Sequence, residues 1–269
     1  MLKDITIGQY FPGESFVHRL DPRTKLIFVV LYVAALFTAK TWVTYAIVLV
    51  VLIVSVSVSG IPVSVMLRGL KPLAIIIAFT MILNIFFSNE GDVIFSFWVL
   101  KITDAGLIRA VYMISRIMML ISGTLLLTYT TTPMALTDGM ERMLSPLKVI
   151  HFPVHELSMM MSIALRFIPT LIDETDRIMS AQKARGANFE TGRLTERAKA
   201  LLPLLIPLFV NAFRCADELT IAMESRCYRG GEGRTRMNAL KMTGLDFTVL
   251  ALSTLWLAGI IVLAVRFGL

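Results

Sequence analysis

Trp42-Val-Thr-Tyr-Ala-Ile-Val-Leu-Val-Val-Leu-Ile-Val-Ser-Val-Ser-Val58 runs without one charged side chain, and this run decides the class of fold. A hydrocarbon core needs roughly 20 helical residues to cross, and this stretch comes close to that by itself. Four further apolar runs, Leu26 to Ala39, Leu73 to Phe87, Leu107 to Tyr129 and Leu245 to Val265, have the same character. The Leu26 and Leu73 runs are short and borrow flanking residues or tilt little. The whole chain of 269 residues is 56% hydrophobic and only 17% charged, with a mean hydropathy of +0.75. That balance excludes an ordinary soluble domain and predicts an all-α polytopic membrane protein.

Five spans follow, or six if Val93 to Ile102 conceals another crossing. That patch is too short to span and reads better as an interfacial or re-entrant piece. Only Lys40 and Thr41 separate the first two runs, so these form a tight hairpin. Trp42, Tyr45 and Trp98 belong at membrane interfaces. The start of the chain, Met1 to Lys25, carries charges and turn residues where a cleavable signal would have an apolar core. It is therefore expected to stay on the side where it is made.

Basic residues orient the spans. Arg19, Arg23 and Lys25 precede the first, Arg68 and Lys71 lie in the second connection, and most of the remainder follow the fourth. These segments are assigned to the cytoplasm of a prokaryotic cell membrane. The net charge of +7 reflects this bias and not a nucleic-acid partner. The organisation expected is a cytoplasmic lead-in (1–25), four transmembrane helices (26–132), a cytoplasmic domain (133–236) and a last transmembrane helix (237–269). Cys215 and Cys227 both fall in the cytoplasmic part, where thiols stay reduced.

Asp21-Pro22 is a helix-start signal: aspartate accepts from free amides of the first turn, and proline at the first helical position loses no bond. Arg23 and Lys25 are then placed at headgroup level, facing anionic lipid. Capping does not explain why His18 and Arg19 come before it.

In the cytoplasmic segment Thr132-Pro133 starts a short amphipathic helix, and His151-Phe152-Pro153 breaks the chain. Leu157, Met161, Ala164, Ile168, Leu171, Thr175 and Ile178 then alternate four and three apart, an apolar stripe on a long helix. A second long helix runs from about Leu194 to Tyr228, with kinks expected at Pro203 and Pro207. These two long helical patterns end alike. The first closes with Asp176, Ala181, Ala184, Arg185 and Gly186, the second with Asp217, Ala222, Ser225, Arg226 and Cys227. Complementation of the helix dipole predicts cations somewhere in each last turn. It does not predict Asp, Ala, small residue and Arg at the same offsets twice, 41 positions apart (217 minus 176, 226 minus 185). Small neighbours let a partner close around the helix end, and arginine offers a planar fork for a carboxylate. Two such ends point to two similar grooves.

Other chemistry is thin. His151 and His155 have metal-pair spacing, but Pro153 lies between them and no further ligands follow. Gly230-Gly231-Glu232-Gly233 lacks the lysine of a phosphate loop. Arg116 is the one clear charge inside a span and Asn84 the clearest amide; such residues line a path or pack against protein. No cofactor is expected. A self-contained permease or channel, and a membrane enzyme using His18, Asp21 or Arg116, are the alternatives. The methionines clustered after Met113 suit a surface that binds several partners.

His18-Arg19-Leu20-Asp21-Pro22-Arg23-Thr24-Lys25, with Gly8 and Tyr10 before it, and the twin motifs Ala184-Arg185-Gly186 and Ser225-Arg226-Cys227, resemble the transmembrane T component of energy-coupling factor transporters. The resemblance covers essentially the whole chain. It implies a non-catalytic subunit linking two cytoplasmic ABC ATPases to a small membrane S component that binds a vitamin or metal ion. By position it implies that Arg185 engages one ATPase and Arg226 the other, on coupling helices supported by Asp176, Ala181, Asp217 and Ala222. Serine and cysteine depart from the alanine-arginine-glycine form but remain small.

Overall fold

The computed structural model describes residues 10–39, 41–87, 93–97, 100–150, 152–187, 194–230 and 240–267. Two units are distinct: Gly8–Gly139 with Leu240–Leu269, and Met140–Ala239 with the first residues of the chain.

The first unit holds the membrane helices. A single turn, α1 (Phe16–Arg19), precedes α2 (Pro22–Thr38), and α3 (Trp42–Ser59) follows after a short connection. Asp21 caps α2 as expected, its Oδ1 accepting from the Arg23 amide at 2.9 Å, with Pro22 at the first helical position. A capping box between Thr41 and Thr44 starts α3, and Gly60 ends it in the left-handed region at φ 69°. The next crossing is composite: α4 (Val63–Leu70), a 3-10 turn over Lys71–Leu73 and α5 (Ala74–Phe87). Arg68 and Lys71 are thus helical residues and not a loop; Pro72, which has no amide to donate, marks the change of helix type.

Val93 to Ile102 hides no helical crossing. It forms two antiparallel strands, β1 (Val93–Phe97) and β2 (Leu100–Thr103), paired from Val93 with Thr103 to Phe97 with Leu100. Strands of five and four residues fall well short of the roughly 9–11 that a membrane strand needs. Thr103 then caps α6 (Asp104–Thr130), accepting from the Gly106 amide at 3.2 Å. The unit is completed by the start of α7 (Pro133–Leu144) and by α10 (Gly244–Phe267).

Among the described residues four stretches, Trp42–Ser59, Val63–Ile85, Asp104–Thr130 and Gly244–Arg266, are long and apolar enough to cross a membrane. With 17 residues, α2 stands at the lower limit of roughly 17–25. Their outer faces are bare hydrocarbon; Ile75 is 79% exposed and Leu255 76%. Lipid is as apolar as leucine, so close backbone approach and internal hydrogen bonds hold such helices together, not expulsion of water. The core brings Tyr32, Ala35 and Leu36 of α2 against Val48 and Leu52 of α3, Met119 of α6 and Ile260 of α10. Gly123 makes the α2–α6 contact possible. A Cβ there would meet the Tyr32 ring at 2.6 Å, while the Tyr32 hydroxyl donates to the Met119 carbonyl at 3.1 Å.

The octet around Asp21 is the joint of this unit. His18 Nδ1 pairs with the Ser15 hydroxyl at 2.7 Å and Nε2 with the Phe11 carbonyl at 3.0 Å, which answers why His18 precedes the cap: it folds the lead-in back on itself. The Asp21 amide donates to Asp246 Oδ1 in α10 at 2.9 Å. Lys25 does not face lipid headgroups. It is 7% exposed, and its ammonium donates to the carbonyls of Thr130 at 2.9 Å and His18 at 3.2 Å. The reason is that α6 ends beside it with carbonyls that have no helical partner.

Arg116 lies level with the α2–α3 turn. Its Nε donates to the Tyr45 hydroxyl at 2.8 Å, and the guanidinium sits 5.7 Å from the Phe37 ring centre. Asn84 donates within its own helix, to the Thr80 carbonyl at 2.9 Å.

Candidate functional site

The second unit is built on α8 (Val154–Ala184) and α9 (Leu194–Ser225), preceded by the end of α7 and a 3-10 turn over Ser145–Ile150. Glu141 fastens α8 to α7, accepting from the Ser158 hydroxyl and pairing with His155 Nδ1 at 3.2 Å. His155 is thereby a structural residue; His151 lies outside the described residues. Pro169 in α8 and Pro203 and Pro207 in α9 sit inside continuous helix.

The two helix ends have the same backbone geometry. At the end of α8 the Gly186 amide donates to the Lys183 carbonyl at 3.0 Å and the Ala187 amide to the Gln182 carbonyl at 3.0 Å. At the end of α9 the Cys227 amide donates to Glu224 at 2.9 Å and the Tyr228 amide to Met223 at 3.0 Å. Both are Schellman closures, which satisfy orphan carbonyls by turning one residue left-handed. That residue is Gly186, at φ 87°, and Cys227, at φ 56°. Arg185 and Arg226 are therefore the C-cap residues, each immediately before the reversal. The repeated spacing in the sequence reads out a repeated backbone turn.

Ala184, Arg185, Gly186, Ser225, Arg226 and Cys227 are all exposed. Among the described residues neither arginine has an ion pair or side-chain hydrogen bond. Asp176 and Asp217 do not pair with them. What Ala181 and Ala222 supply is carbonyls: Ala181 accepts from the Arg185 amide at 3.3 Å, and Ala222 from the Ser225 hydroxyl at 3.0 Å. Cys215 and Cys227 are free thiols.

Sequence reasoning missed Tyr228. Its hydroxyl donates to Met159 Sδ at 3.0 Å, which sets the end of α9 beside the beginning of α8. The end of α9, with Arg226, thus lies beside the start of α8, while Arg185 stands at the other end of α8. An aromatic residue directly after the second small-Arg-small motif was the only available signal, and the first copy lacks it, having Ala187 at that position. The expected apolar stripe is only partly covered, Leu157 being 38% and Met161 44% exposed; on α9, Phe209 is 61% exposed as well.

Several helices long and apolar enough to cross a membrane, joined to a separate helical unit with two exposed arginine-bearing helix ends and uncovered apolar side chains, define a polytopic membrane protein. The chain matches the cobalt transport protein family, CbiQ, over residues 13–237. It is 54% identical over 245 residues to the energy-coupling factor transporter transmembrane protein EcfT of Thermosediminibacter oceani, covering 91% of this chain and 92% of that one. The Ruminiclostridium cellulolyticum EcfT is 50% identical over 98% of both chains, and the Bacillus subtilis EcfT 50% identical over 93% of this chain and 94% of its own. The chain belongs to the CbiQ/EcfT family of energy-coupling factor transporter transmembrane proteins.

Proposed function

We propose that this chain is the scaffold and energy-coupling subunit of an importer for vitamins or other micronutrients. In this reading two cytoplasmic ABC ATPases dock on the Arg185 and Arg226 helix ends, one on each. A small membrane subunit that binds the solute rests on the uncovered apolar and methionine-rich faces of α8 and α9. ATP binding brings the ATPases together, the helix ends follow, and the helix pair passes the displacement to the solute-binding subunit. The observation that carries the reading is the pair of identical Schellman closures, each presenting an exposed, unpaired arginine. A cation just before a chain reversal, flanked by small residues, is a probe that a groove can surround.

Such coupling requires that the partner contact differ between two states. Mild-detergent purification from the native membrane, with co-purifying proteins identified and ATPase activity assayed, tests it. Arg185→Glu and Arg226→Glu are each expected to lower ATPase recovery at least tenfold, since breaking one buried charged contact costs roughly 2–5 kcal/mol. Together they abolish uptake. Unchanged recovery and uptake in the double variant sinks the docking role.

A further inference from the structure

The membrane unit leaves a cleft of about 320 Å³ between α1, α2, α3, α6 and α10. We infer that it is a binding site for one acyl chain of a membrane phospholipid.

Three features of the cleft select this occupant. The first is its medium. Thr24, Lys25 and Thr130 line one end, Tyr32, Leu52 and Gly123 the other, and nearly all the wall between is hydrocarbon. Val54 and Leu252 line it while being 54% and 73% exposed, so it opens through the outer face of helices that cross a membrane. Hydrocarbon, not water, surrounds it, and interiors close-pack rather than keep voids of this size. An apolar space also gives water no partners.

The second feature is shape. From Lys25 to Tyr32 on α2 and from Gly123 to Thr130 on α6 the wall is seven residues long, roughly 10 Å at 1.5 Å per residue. One leaflet's share of the hydrocarbon core is roughly 15 Å, so the cleft occupies most of the leaflet on the Lys25 side. Spread over that length, 320 Å³ averages ~32 Å² in section. A helix with its side chains is roughly 10–12 Å across and does not enter; a single polymethylene chain does.

The third feature is the end wall. An ammonium has three hydrogens to donate, and Lys25 uses two of them, on Thr130 and His18. That buried cross-link closes the cleft with a polar wall at its Lys25 end, so that an occupying chain lies with its methylenes toward Tyr32. The acyl chain then completes the packing between α2, α3 and α6 that no side chain among the described residues completes.

The test is photolabelling of the full-length chain in vesicles of phosphatidylethanolamine and phosphatidylglycerol carrying a diazirine in the acyl chain, with adducts mapped by mass spectrometry. Adducts are expected on Leu52, Leu127 and Leu252. Ser55→Phe, which fills the cleft from α3, should reduce those on Leu52 and Leu127 at least fivefold while labelling of Ile75 and Phe79 on the outer face of α5 is unchanged. Val249→Phe fills it independently from α10, and the α5 labelling reports whether either variant is folded. Cleft adducts that are absent in the wild type, or equal in wild type and both folded variants, overturn the proposal. So does a partner-subunit peptide cross-linked at Leu52 in place of lipid.

Discussion

The hydroxyl of Tyr228 donates to the sulfur of Met159 at 3.0 Å, joining residues 69 positions apart and setting the direction of α9 against α8. Because Met159 lies near the start of α8 and Arg185 at its end, this contact keeps the two arginine caps apart. Along α8 the interval from Met159 to Arg185 is 26 residues, roughly 39 Å of helix. Spin labels on Arg185→Cys and Arg226→Cys, with Cys215 and Cys227 replaced by serine, should therefore show a mean separation of roughly 30–40 Å. A distance below about half of that would mean parallel helices, and the assignment of one cap to each partner would fall.

Cys227 is the only non-glycine residue with positive φ among the described residues. The left-handed conformation costs a residue with a Cβ roughly 1–2 kcal/mol. Cys227→Gly should slow hydrogen exchange at the Tyr228 amide about fivefold or more, about 1 kcal/mol at the helix end. Gly186→Val should do the reverse at Ala187. If the two exchange rates do not move in opposite directions, the closures are not what holds these ends.

Gly123 and Tyr32 make a second test. Gly123→Leu drives a side chain into the Tyr32 ring, whose nearest atom is 2.6 Å from a Cβ at this position, and overpacking of this kind costs roughly 1–3 kcal/mol. Melting of the purified chain in detergent should fall, and Tyr32→Ala should restore part of the loss when combined with it. Additive losses in the double variant would mean that the two side chains do not meet.

Asp246 carries the joint between α10 and the start of α2. It accepts from the Asp21 amide at 2.9 Å and from the Thr243 amide and hydroxyl at 2.8 and 2.7 Å. Asp246→Ala leaves the buried Asp21 amide without its acceptor, at roughly 1–3 kcal/mol. The variant should lose the protease resistance of residues 10–25 before that of α6. Uniform loss across the chain would contradict a local joint.

The spans were legible because membrane crossing is a property of composition over one continuous stretch, and Trp42 to Val58 displays it without reference to anything else. The cap at Asp21-Pro22 was legible for the same reason, since the bond it makes, to Arg23, is two residues away. Val93 to Ile102 was legible as too short to span, but a short apolar run has no period long enough to separate strand from helix; pairing of Val93–Phe97 with Leu100–Thr103 decided it. At Arg185 and Arg226 the repeated offsets carried the structural signal of a repeated turn, because a Schellman closure is made within six consecutive residues.

Lys25 shows where that kind of reading stops. Its sequence neighbours Arg23 and Leu26 suit a cation at a headgroup, and only Thr130, 105 residues away, turns it into a buried cross-link. Asp246 is the same case at a separation of 225 residues. The sequence by itself determined what is local: which stretches enter a membrane, where helices begin, and that two of them finish in one arginine-bearing turn. The tertiary structure alone decided that the end of α9 lies beside the start of α8, far along the helix from Arg185, and which polar groups meet between helices. Those outcomes depend on bonds between residues tens to hundreds of positions apart, whose geometry no single stretch contains.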